Sequence, residues 1–129
     1  MNKEVIRRTS AKFYVETIEL DDASMQLLNN QDLIIVKAGS DILIPHHTNY
    51  EFVAGNTPYN FSSPLFIGYD NDANFAAIYP TNLNSQTDYY QILTMYAEPK
   101  TGDIVVKKLT SPISQGNGKL KIHLYYTLQ

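Results

Sequence analysis

At 129 residues, with a formal net charge of −3 and no cysteine, the chain is long enough to bury its own core and has no disulfide or thiolate chemistry to draw on. Lys and Arg are scattered apart from Arg7-Arg8 and Lys107-Lys108, which argues against a nucleic-acid footprint. No apolar run approaches the ~20 residues of a membrane span, and the stretch MNKEVIRRTSAKF lacks the apolar core of a secretory signal.

Residues 1–11 are polar and read as a loose or docking arm ahead of a single domain spanning 12–129. From Lys12 the pattern alternates, with Phe13, Val15 and Ile18 expected on the inner face of a first strand and Lys12 and Glu16 in water. Asp21 and Asp22 offer an N-cap and first-turn negative charge, so Ala23 to Leu28 predicts a short helix closed by Asn29-Asn30. Leu33 to Val36 is a continuous apolar run between Asp32 and Gly39, consistent with a central strand. Ile42 to Ile44 forms another apolar run, Pro45 interrupts the ladder or marks an edge, and the alternation resumes from His46 to Val53.

Ala54-Gly55-Asn56-Thr57-Pro58 is a strong turn signal, and Tyr59 to Ser63 reads as loop. Leu65–Tyr69 and Phe75–Tyr79, joined through Asp70-Asn71-Asp72, read as a hairpin that Pro80 ends. Tyr89, Ile92, Leu93 and Tyr96 recur at helical spacing, so 82–97 is expected to be helix or loop from about Ser85, then strand near Ile92 to Ala97. Strands are expected over Ile104–Leu109 and Lys119–Leu128, the latter with Leu120, Ile122, Leu124 and Tyr126 buried. The fold class is therefore all-β, a single-domain β-sandwich or jelly roll with one or two short helices, and a five-stranded barrel is the alternative.

No catalytic constellation emerges. His46 and His47, as neighbours on a strand, are expected to point to opposite faces and so not to share a metal ion. Asp70-Asn71-Asp72-Ala73-Asn74 opens like a calcium loop, but Phe75 stands where Gly is required and Thr81 where Glu is required. No serine sits in a nucleophile elbow, and Asp21-Asp22 reads as a cap rather than an acid–base pair. The chain is read as a non-enzyme without cofactor or metal. The candidate binding residues are Tyr50, Phe52, Tyr59, Asn60 and Phe61, aromatic rings interleaved with amides and hydroxyls as in sugar sites and wet interfaces.

Three segments, in order, carry a resemblance. They are Leu33-Ile34-Ile35-Val36-Lys37-Ala38-Gly39 through Ile42-Leu43-Ile44-Pro45; Thr57-Pro58-Tyr59 followed by Leu65-Phe66-Ile67-Gly68-Tyr69; and the ending Gly-x-Gly-x-Leu-x-Ile-x-Leu-Tyr-Tyr from Gly116 to Tyr126. Together they resemble a family of small accessory virion proteins of tailed bacteriophages, over most of residues 13–129. The resemblance implies capsid decoration or a head or tail fibre. It also implies a homo-oligomer, commonly a trimer, that contacts capsid or other virion proteins and is made in the bacterial host cytoplasm. The family carries over no catalytic residues. The alternative is a receptor- or carbohydrate-binding module that takes a surface glycan on the aromatic loop.

Overall fold

The computed structural model describes residues 12–70, 72–95 and 98–129. The expected arm at 1–11 lies outside them, as do Asn71 of the hairpin turn and Tyr96 and Ala97 of the ambiguous segment. Among the described residues eight strands and two short helices follow one another: β1 (Tyr14–Leu20), α1 (Asp22–Leu27), β2 (Leu33–Val36), β3 (Leu43–Val53), β4 (Leu65–Tyr69), β5 (Asn74–Ile78), α2 (Pro80–Leu83), β6 (Tyr89–Thr94), β7 (Ile104–Val106) and β8 (Lys119–Leu128).

The strands form two four-stranded antiparallel sheets, ordered β1-β8-β3-β6 and β2-β7-β4-β5. First pairs with last, second with seventh, third with sixth and fourth with fifth. That nesting is one long hairpin rolled up, closed where β8 meets β3 and β7 meets β4. It is the jelly roll, two sheets packed face to face with the core between them.

The register follows burial. On β8, Leu120, Ile122, Leu124 and Tyr126 are buried and face the second sheet. Fully burying each aliphatic side chain contributes roughly 1.5–3 kcal/mol. A slip of one residue would turn the whole set to water, so the pairing is strongly specified. The same parity corrects the first strand. Leu20 and Ile18 pair with Leu120 and Ile122, which puts Tyr14 inward and turns Val15, and Phe13 before it, to the outer face.

The helix α1 forms as expected. The Asp21 carboxylate accepts from the backbone N–H of Ser24 at 2.9 Å and from its hydroxyl at 3.0 Å, and these bonds hold its pKa below the ordinary 3.8. The segment 82–97 differs from expectation. Helix comes earlier, with Pro80 in the first turn of α2, and the chain is already extended at Tyr89. Pairing of Tyr89–Leu93 with Phe52–Thr48 decides the matter, because a ladder partner outweighs helical spacing over so short a run. β7 is shorter than expected. Beyond it the chain leaves the sheet, and Leu109 donates to Leu28 O at 2.8 Å.

Pro45 does not break β3, which runs unbroken for 11 residues. Pro45 pairs with Tyr126 and His47 with the adjacent Tyr125, so His46 is an extra residue, a β-bulge. Pro45 fits because the β6 ladder begins only at His47.

Candidate functional site

The aromatic loop is not a surface platform. Tyr50, Phe52, Tyr59 and Phe61 are at most 4 % exposed, and all four belong to the core. Tyr50 and Phe52 point inward from β3, and Phe52 stacks on Tyr89 at 5.3 Å. Tyr59 packs against Phe61 and donates its hydroxyl to Gly118 O at 2.6 Å. Of the candidate residues only Asn60 is exposed, and its amide exchanges hydrogen bonds with Ser114 at 2.9 and 3.0 Å.

The amides around these rings serve the backbone of neighbouring loops. Asn84 pairs with both backbone groups of Phe61, and Asn29 does the same for Ile113. The Asn117 side chain accepts from Thr57 N while the Asn117 backbone N–H donates to Thr57 O. Extended loop segments that lack a strand partner thus have their donors and acceptors satisfied by asparagine. A wet-looking composition is here the lining of a closed sandwich end.

Burial perturbs the inward tyrosines accordingly. Loss of solvation pushes Tyr50 up to about 12, with the Thr48 hydroxyl pulling slightly the other way. It pushes Tyr89 up to about 12 as well, and raises Tyr59 and Tyr69.

The outer face of β1-β8-β3-β6 has the opposite character. Successive rows across it read Val15, Tyr125, His47, Thr94; then Thr17, His123, Asn49, Ile92; then Glu19, Lys121, Glu51, Tyr90. Phe13, Val15, Tyr90 and Ile92 on this face are 51–58 % exposed. The bulge corrects the expectation that His46 and His47 diverge. His46 Nε2 lies 2.8 Å from the Thr127 hydroxyl and its ring 5.1 Å from Phe13, while His47 stacks on Tyr125 at 4.2 Å. Both imidazoles stand on the outer face, and so does His123, held by Thr17 at 2.7 Å through Nδ1 and by Glu51 at 2.6 Å through Nε2. All three histidines of the chain therefore share one sheet surface. Among the described residues no group of three His, Asp or Glu side chains is placed to hold a metal ion.

Sequence reasoning missed this face because it put Phe13 and Val15 inside and treated His46-His47 as bystanders of a strand break. A signal was there. Leu43 and Pro45 are buried at odd positions, Thr48, Tyr50 and Phe52 at even ones, and such a phase change in mid-strand is what a bulge writes into a sequence.

Comparison with family models, curated proteins and solved structures finds no match for this chain. Among the described residues no helix is long and apolar enough to cross a membrane.

Proposed function

We propose that this chain is a non-enzymatic structural subunit of the virion type, a capsid-decoration or fibre component, and that it self-associates through the outer face of β1-β8-β3-β6. The observation that carries the self-association is the exposure of Phe13, Val15, Tyr90 and Ile92 around an ordered histidine–tyrosine centre. Aromatic enrichment with few lysines is how interface cores differ from ordinary surface. The size of the face supports a second copy as its occupant. Four strands at ~4.8 Å spacing and about seven residues at ~3.4 Å project about 450 Å², roughly half of the ~800 Å² per partner of a standard interface before the relief of the side chains is counted. The virion role is supported by the sequence resemblance and by a jelly-roll architecture that viral capsid domains share, an association of fold rather than of site.

Light scattering on the purified chain at micromolar concentration tests the first part. The expected result is an oligomer, a dimer where two copies cover each other's face or the trimer of the family resemblance where three share it, that V15D/I92D converts to monomer with an unchanged far-ultraviolet circular dichroism spectrum. A wild-type monomer would sink the self-association. Antibody labelling of particles tests the second part, and absence of label from every particle would remove the virion role.

A further inference from the structure

The β4–β5 hairpin sits at the edge of the second sheet, away from the outer face described above. It borders a cleft of about 580 Å³, inside the roughly 300–1,000 Å³ range of small-ligand sites. Register slips at this point, since Ile67 pairs with Ala76 but Gly68 with Asn74, so Phe75 is an extra residue. Its half-buried ring is held edge-on against Tyr69 at 5.5 Å and lines the cleft together with Phe66. Lys107 Nζ fixes the hairpin turn, bonding Tyr69 O at 2.5 Å and Asp72 O at 3.0 Å.

The polar groups select the ligand. Glu98 presents an exposed carboxylate, Asp72 one that already accepts from Ala73 N at 2.6 Å, and Asn74 an exposed amide, while Lys100, 4.0 Å from Glu98, is a cation of the lining. Lys100 and Lys107 Nζ, the latter at the turn beside Asp72, balance the two carboxylates, so the cleft offers no net charge to draw in an anion or a cation. Polar groups around an open cleft disfavour a hydrocarbon chain. What remains is a neutral ligand with one C–H face and a hydroxylated edge. Ring faces carry the partial negative charge that attracts C–H groups, carboxylates accept from hydroxyls, and an amide both accepts and donates.

We propose that the cleft lined by Phe66, Phe75, Asp72, Asn74 and Glu98 binds a neutral saccharide. The site stands independently of self-association, because it lies on the other sheet. The carbohydrate alternative read from the aromatic loop thus moves to a place where rings are accessible.

The test is a glycan array probed with the full chain, followed by calorimetric titration of the strongest neutral oligosaccharide. N74A and E98Q alter exposed side chains, so both are expected to fold. Each is expected to weaken binding roughly tenfold, the effect of losing one good hydrogen bond. F75A should abolish binding, and E16Q on β1 should leave it unchanged. A blank array would overturn the proposal. So would binding confined to sulfated or sialylated glycans, or a neutral hit indifferent to N74A and E98Q. Light scattering on the same samples reports self-association separately, so failure of one reading is not mistaken for failure of the other.

Discussion

The role of Tyr59 is decided by stability. Its ring is 2 % exposed, its hydroxyl donates to Gly118 O at 2.6 Å, and Gly116, at φ +129°, lies so close that a Cβ there would stand 2.1 Å from the ring. Tyr59→Phe keeps the ring and removes the donor, leaving a buried carbonyl unpaired at a cost of about 1–3 kcal/mol. Tyr59→Ala also removes the ring, and large-to-small aromatic changes in cores cost about 3–5 kcal/mol. Against a total stability of about 5–15 kcal/mol for a domain, the second change removes a large fraction and the first a measurable one. Urea unfolding followed by circular dichroism should show both midpoints falling, Ala well below Phe, with the Phe slope unchanged. A Tyr59→Ala protein with the wild-type midpoint would refute the core assignment, and one that also lost a ligand would restore the surface reading.

Tyr89 gives the opposite sign. Its hydroxyl is buried without a hydrogen-bond partner among the described residues, so Tyr89→Phe is expected to be neutral or to raise stability by up to ~1 kcal/mol, and a loss above that in the same titration would contradict it. The buried tyrosines also predict alkaline instability. Tyr50 and Tyr89 ionise at about 12 when folded against an ordinary 10.0, so above pH 10 the unfolded chain holds fewer protons and stability falls with pH. Below pH 10 these groups contribute no slope. Urea midpoints measured from pH 8 to 12 check this, and a flat profile above pH 10 would count against their burial.

How far the sequence could be read depended on whether burial was one-sided and local. β8 was legible to the residue because its inner face is fully buried and its outer face polar, and α1 because Asp21 caps it within four residues. β1 was misread because it is an edge strand, partly exposed on both faces, so Phe13 and Val15 carry no sign of which way they point. The loop at 56–63 was misread for a different reason. Its polarity is real, but the groups that satisfy it, Ser114, Asn117 and Gly118, lie 54 to 60 residues away. No local pattern can tell an amide that awaits a ligand from one that already holds a distant backbone. The hairpin cleft was invisible too, because its lining combines a bulge with side chains brought in from beyond β6.

The bulge at His46 offers the sharpest test of the register argument. Pro45 and His47 already face adjacent residues of β8, so deleting His46 leaves every pair in place and makes the burial alternation of β3 regular. What is lost is the bond to Thr127 at 2.8 Å, the contact with Phe13 and the backbone bond in which His46 O accepts from Met95 N–H at 3.0 Å, together about 1–3 kcal/mol. Deleting Asn49 shortens the same strand by one residue but acts differently. The slack of the bulge can absorb the slip only by moving Thr48 outward and driving His47 into the fully buried site opposite Leu124. An imidazole there is bulkier than the threonine it displaces and loses its stack on Tyr125, and forcing it into a packed core costs roughly 2 kcal/mol or more. The two deletions should therefore part clearly in thermal midpoint, the His46 deletion remaining folded and the Asn49 deletion losing much or all of its stability. Equal losses would mean that the bulge sets the twist of the sheet and is required for closure, and that the register is held by something other than the buried face.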